Sequence, residues 1–400
     1  MGFQQGLSGL NAASRNLDVI GNNIANANTV GFKQSRTEFA DLVASSIGVT
    51  SGSTAGIGVE VATIAQQFSQ GNITVTGNSL DVAINGNGFF ALTQTDGSAA
   101  YTRNGQFKLD KDGNLVTNQS AQVMGYPTDP ITGLRTSVTL QPIVLPTGGP
   151  IPAQQTTAIT AEFNLDAEAP VAATAVPPTP RTTYGTSLNV FDSQGVAIPV
   201  NLYFEKTALN TWAVYNVPAA GAPIGSLVFS NTGALTTPAP GTPIALSVTG
   251  PLGAFAVNLS VDDVTQFGSP FAVSNLTQDG YTSGELTGIR IENSGNITAR
   301  YSNGQTQSAG QLALVNFRNP QGLGQLGAGV WQETFESGLP VTGAPSEGNF
   351  GALRSGSVED ANVDLTSELV NMLTAQRAYQ ANAQTIKTQD QVLSTLVNLR

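Results

Sequence analysis

Apolar residues at the two ends of this 400-residue chain recur with a helical period, and those between them do not. Near the N-terminus, Phe3, Leu7, Leu10, Leu17 and Ile24 follow an alternating four-and-three spacing, with Ser14 and Gly21 in the gaps and Ile20 beside them. Near the C-terminus the same spacing selects Leu365, Leu369, Met372, Tyr379, Ala383, Ile386, Leu393 and Val397, interrupted by Gln376 and Asp390. An apolar seam repeating every ~3.5 residues is what a helix shows when it packs lengthwise on another helix. No other stretch offers a face of that length, so the two ends are expected to cover each other and copies of themselves. The pattern points to an assembly subunit rather than an enzyme.

Composition narrows the chemistry. Charged residues make up 11% of the chain and hydrophobic residues 40%, so the bulk should fold rather than stay disordered. The net charge of −11 and the absence of a basic patch argue against nucleic acid as a partner. There is no Cys and no His, which removes disulfides, thiolate nucleophiles, imidazole proton relays and Cys-based zinc sites. No cofactor or metal site is expected. No cleavable signal is legible, since the first basic residue is Arg15 and no apolar run of signal length follows a positive start. No stretch approaches the ~18 apolar residues of a membrane span.

The fold class expected is mainly β with terminal α-helices. Residues 1–32 and 358–400 form a helical coiled-coil stem, the final helix starting at Ser357 as N-cap with Glu359 and Asp360 in its first turn. Residues 33–72 read as an irregular connector holding a short strand or helix. From Ile73 the pattern turns to period two, with short strand candidates at 73–75, 80–84, 89–92, 107–109 and 115–116. The zone from Pro142 to Tyr281 differs: it holds 16 of the 21 prolines and two basic residues, Arg181 and Lys206, against eight acids. If the terminal helices pair, the chain must leave and return. The layout is then a discontinuous β domain, 73–146 with 282–357, carrying an inserted all-β domain at 147–281.

Three short motifs carry less than they promise. Gly86-Asn87-Gly88-Phe89-Phe90-Ala91 matches a dinucleotide fingerprint, but a strand pattern follows where a helix N-terminus would have to receive the pyrophosphate. Gly322-Leu323-Gly324-Gln325-Leu326-Gly327 lacks a helix too. Asp110-Lys111-Asp112-Gly113-Asn114 hints at a calcium loop but lacks its later glycine and bidentate Glu, and reads as a tight turn.

The run Asn22-Asn23-Ile24-Ala25-Asn26-Ala27-Asn28-Thr29-Val30-Gly31-Phe32-Lys33 resembles the N-terminal signature of the bacterial flagellar axial proteins, the rod, hook and hook-associated subunits. Asn23, Asn26, Asn28, Thr29, Gly31 and Phe32 carry the match. Residues 363–372 and 376–382 are similar to that family's closing helix, and residues 81–90 to the entry of its first β domain. Within the family, the length, the inserted acidic domain and residues 278–285 resemble the hook type most.

The resemblance implies export through the flagellar type III apparatus and polymerisation with copies of itself. It implies a curved tube that transmits torque as a universal joint, with the distal rod, the hook cap and the hook–filament junction proteins as neighbours. Its place would be the bacterial flagellum, extracellular, without membrane insertion. A distal rod or hook-associated subunit is the alternative; a surface adhesin holding a glycan stands further off. A carboxylate-dependent glycosidase would need an acid kept protonated in an apolar pocket, and no acid here has that context.

Isolated helices of this size are marginal in water. The dilute single chain is therefore expected to exchange amide hydrogens near Leu10 and Ile386 as fast as a free peptide, measured by mass spectrometry. Ends protected along their whole length would overturn that expectation.

Overall fold

The computed structural model describes residues 2–43, 56–219 and 221–398. It has a helix at each end, α1 (Gly2–Ala25) and α2 (Leu365–Asn398), and strands between them. The chain divides into two compact units. The first comprises Met1–Gly148, Gly288–Arg300 and Thr306–Arg400; the second comprises Gly149–Thr287 with Tyr301–Gln305.

The first unit is built around an antiparallel sheet. Its strands run in the order Thr306–Leu312, Gln122–Tyr126, Phe89–Thr93, Ala99–Thr102, Val330–Gln332 and Gly324–Gly327. The Phe-Phe-Ala-Leu run after Gly88 explains why both faces of this sheet are covered. Alternate side chains on a strand point to opposite faces. Phe89 and Ala91 accordingly join Tyr101, Val315, Phe317 and Trp331, while Phe90 and Leu92 join Val82, Ile84, Phe107, Leu312 and Leu353. The rings on the Phe89 side meet edge to face, Phe89 and Trp331 at 5.6 Å between centroids, an arrangement favoured by the ring quadrupole. At the dinucleotide-like motif, Gly86 and Gly88 take φ of 120° and 125°, in a tight approach to the strand with no helix behind it.

The chain's last strands complete this unit. Ala352–Ser355 pairs with Val82–Asn85, and Ser357–Glu359 pairs with Ile73–Val75, both antiparallel. Two expectations from the sequence change here. The final helix does not begin at 358: Ser357, Val358 and Glu359 are buried strand residues. The N-cap is Asp364, whose Oδ1 accepts the backbone N–H groups of Thr366 (2.9 Å) and Ser367 (3.1 Å), a standard use of Asp before a first turn. The second change lies in 33–72, where β1 (Ser35–Val43) and β2 (Gly56–Gln66) form an antiparallel hairpin with irregularities after Glu38 and Leu42. Its alternation of Ile57, Val59 and Val61 is diluted by Gly56 and Gly58, which is why it read as a connector; residues 44–55 lie outside the described ones.

The second unit is a sandwich of two five-stranded sheets. One has Ala158–Asp166 at its centre, parallel to Gly253–Ser260 and antiparallel to Ala272–Gln278. The other is an antiparallel meander from Gly185–Phe191 to Leu235–Thr237. Inward residues of both, among them Ile159, Phe163, Leu202, Phe204, Trp212, Leu246 and Val257, make one core. Buried polar ends are paired: Trp212 Nε1 donates to Gln266 Oε1 (3.3 Å), and Lys206 Nζ donates to the carbonyls of Ala167 (2.7 Å) and Ala169 (2.9 Å).

Phe204 is fully buried, with its ring centroid 4.4 Å from that of Phe163. Phe204→Ala should destabilise the second unit by about 3–5 kcal/mol, read as a downward shift of its calorimetric transition.

Candidate assembly interface

The helix pair is antiparallel, since Gly6 lies against Ile386 and Asn23 against Glu368. A Cβ on Gly6 would meet Ile386 Cγ1 at 3.0 Å, and one on Gly9 would meet the Asn382 side chain at 2.9 Å. Glycine there lets the two backbones approach. A second side of α1 rests on the hairpin: Gln5 Nε2 donates to the Gly56 carbonyl (2.6 Å), and Ser8 Oγ accepts from Val59 N–H (3.3 Å). Ala12, Val19 and Ile20 are buried.

Much of the seam expected to join the helices remains uncovered. On α1, Phe3 and Leu7 are 47% and 44% exposed, and Leu10, Leu17 and Ile24 are half-buried. On α2, Leu365, Leu369, Tyr379 and Leu393 are exposed, joined by Val370, Leu373 and Val392, while Met372 and Ile386 are half-buried. Val397 falls within α2. The α2 residues most covered are Glu368, Met372, Ala375, Asn382, Ala383, Ile386 and Gln389. The side facing α1 is thus rotated away from the most apolar stripe, and the apolar stripe looks outward.

The Asn-rich motif closes α1. Asn26 Nδ2 donates to the Asn22 carbonyl (3.0 Å) and to its Oδ1 (2.8 Å), Thr29 Oγ1 donates to Asn26 Oδ1 (3.3 Å), and Phe32 N–H returns to the Thr29 carbonyl (3.2 Å). Asn28 and Thr29 are exposed and Phe32 half-buried. Gly31 adopts φ +72°, and a Cβ there would meet Asn104 N at 2.7 Å, so the position excludes any side chain. Its N–H donates to the Glu359 carbonyl (2.7 Å), which ties the motif to the last strand.

Two buried carboxylates beside this motif were not legible as such. Glu359 is fully buried between two cations: Lys33 Nζ at 2.5 Å from Oε1 and Arg103 Nη1 at 3.2 Å from Oε2. Gly71 N–H also donates to Oε1 (3.0 Å), Lys33 reaches the Ser69 carbonyl (2.8 Å), and Arg103 Nη2 reaches the Gly86 carbonyl (2.9 Å). Burial pushes the Lys33 ammonium below its usual range, against the opposing pull of Glu359, and acts on Arg103 in the same direction. Glu368 is the second. It makes no ion pair among the described residues and accepts instead from three amides: Gln34 Nε2 (2.7 Å), Asn23 Nδ2 (3.3 Å) and Asn371 Nδ2 (3.3 Å). The available signal was scarcity: in a chain with 11% charged residues, Lys33 follows the motif directly and Glu368 is the first charge of α2.

Among the described residues there is no cluster of three or more acidic, His or Cys side chains able to hold a metal, and no helix long and apolar enough to cross a membrane.

Comparison with known proteins follows the same segments. Residues 3–33 match the family model described as flagella basal body rod protein, and 83–164 the flagellar hook protein FlgE/F/G D1 domain. Residues 163–281 match the flagellar basal body protein FlaE D2 domain, and 354–399 the flagellar basal body rod FlgEFG protein C-terminal. The chain is 44% identical to the flagellar hook protein FlgE of Salmonella typhimurium, with 100% of both chains covered. It is 44% identical to that of Escherichia coli, again over 100% of both chains, and 33% to that of Borreliella burgdorferi, over 99% and 98%. Among solved structures, Helicobacter pylori flagellar hook protein FlgE2 shares the fold, with TM-score 0.53, 15% identity, and 70% of this chain and 99% of that one covered.

Replacing Glu359 by Leu leaves Lys33 and Arg103 buried without a counter-charge. The first unit should lose roughly 3–5 kcal/mol, read by urea denaturation in a Trp212→Phe background that leaves Trp331 as the reporter.

Proposed function

Since this chain belongs to the flagellar hook protein family, we infer that it is a structural subunit of the hook, joined to copies of itself through its terminal helices. The observation that carries this reading is the uncovered apolar stripe. Phe3 and Leu7 on α1, and Leu365, Leu369, Val370 and Leu373 on α2, are exposed in the single chain. Apolar surface left in water gains about 25 cal/mol per Å² when a neighbour covers it, and helices with bare seams are built to receive other helices. The long helices then form the inner wall of a tube, and the polymer bends as a universal joint between motor and filament. Its work is mechanical and not catalytic.

The neighbours we propose at the two ends of the polymer are the distal rod, the hook cap and the hook–filament junction proteins. Delivery is by the flagellar type III export apparatus to a place outside the cell. A chain without disulfides to reassemble suits passage in an unfolded state.

Electron micrographs of the assembled chain should show a short curved tube; a straight rod or no polymer would overturn the reading. Leu369→Asp with Leu373→Asp should abolish the tube while the single chain keeps its stability to within about 0.5 kcal/mol, as exposed positions do. Tubes formed as well by the double variant would place the assembly contact elsewhere.

A further inference from the structure

A cavity of about 180 Å³ lies beside Glu368 in the first unit, lined by Asn16 and Asn23 of α1, Gln34 and Thr37 at the start of β1, and Glu368 and Asn371 of α2. Asn371 is exposed and Asn16 half-buried, so the cavity is reached from outside. Its lining holds two unmet demands. Glu368 is 2% exposed and takes only neutral amides, two on Oε1 and one on Oε2. An ionised carboxylate offers about four acceptor positions, so one stays open and the charge meets no cation among the described residues. Thr37 is 7% exposed, and its Oγ1 is buried with no hydrogen-bond partner. A buried charge left in this state is costly, and a matching cation relieves it.

The groups around the cavity call for a donor. Gln34 and Asn371 turn their NH2 groups to Glu368, which leaves their carbonyl oxygens to accept. A guanidinium supplies a full charge and a planar fork of N–H donors, with no acceptor to leave unmet. A divalent metal would need more carboxylates than this one.

We propose that this cavity is a socket for the Arg377 guanidinium of a second copy of the chain. Arg377 is exposed and makes no ion pair among the described residues. It follows Val370 and Leu373 at helical spacing on the open side of α2, so a copy pressed on that stripe brings it along. It cannot reach Glu368 of its own chain, which lies about 14 Å away along the helix and half a turn round it. A cation and its acceptor at different heights on one helix make a heterologous contact, which propagates along a polymer. The pairing rests on assembly through the terminal helices and adds a register, which a polar group fixes where an apolar stripe does not.

A double-mutant cycle tests it, read as the concentration of chain left unpolymerised beside tubes after sedimentation. Glu368→Gln and Arg377→Gln should each raise that concentration about tenfold or more, and the double variant no further than the worse single one. Effects that multiply overturn the pairing, and so do Arg377→Gln tubes that form as readily as unaltered ones. If Glu368→Gln lowers the urea midpoint of the single chain, cross-linking decides. The chain has no Cys, so Thr374→Cys copies and Arg377→Cys copies carry one thiol each. Mixed in one tube, unlike copies should be joined by a short bis-maleimide spacer, and absence of the mixed product overturns the socket.

The rival occupant is Arg36 of the same chain, which also lines the cavity and pairs with Glu38 (2.8 Å). A cycle that couples Glu368 to Arg36 in place of Arg377 overturns the proposal. An unaltered chain that forms no tube overturns assembly and this pairing together, whereas tubes without coupling remove the pairing alone.

Discussion

A carboxylate removed from water must be met by cations and N–H groups or the fold loses several kcal/mol. Glu359 meets that condition only if four distant parts of the chain converge on it: the residue after the N-terminal motif, the loop at Ser69 to Gly71, Arg103 from the sheet, and the last strand itself. The convergence explains the tight glycines nearby. A Cβ on Gly71 would collide with the Asp360 carbonyl, and one on Gly31 with the backbone at Asn104. Both ends of the chain are thereby fixed to the first unit without a disulfide. The positions where α1 leaves that unit and α2 leaves it follow from there.

The helices show why an apolar period and a buried face need not coincide. α1 serves three surfaces: glycines toward α2, Gln5 and Ser8 toward the hairpin, and Phe3 and Leu7 toward solvent. Amide side chains suit such a helix. They bond in partly buried contacts and, being neutral, add no repulsion when like surfaces meet, whereas unpaired charges would be expensive to cover. On α2, Glu368 and Asn382 occupy the covered side and the leucines the open side. Within one chain this looks inverted. It is consistent once the open side is a contact surface.

Much of this was legible beforehand. Strong periodicity located both helices and several short strands, and residue type alone marked the turn at Asp110, whose Oδ1 accepts from Asp112 and Asn114 N–H groups. The failures have a common cause. Ser357, Val358 and Glu359 look like a helix start because Ser and acids favour that place locally, yet tertiary pairing with Ile73–Val75 overrides the local preference. The hairpin at 35–66 was hidden by glycines that its bulged register tolerates. Which side of each helix is covered depends on glycine approach and on buried amides, and a hydrophobic period carries no record of either. Glu359 and Glu368 are recognisable only when residues more than three hundred positions apart are placed together.

The pairing of Ile73–Val75 with Ser357–Glu359, and of Val82–Asn85 with Ala352–Ser355, gives the first unit a very high contact order. The strands Ile73–Val75 and Val82–Asn85 have no strand partner until nearly the whole polypeptide is available. In a nascent chain this part of the unit therefore stays unclosed by topology alone, whatever its sequence favours locally, and completion is timed by arrival of the tail.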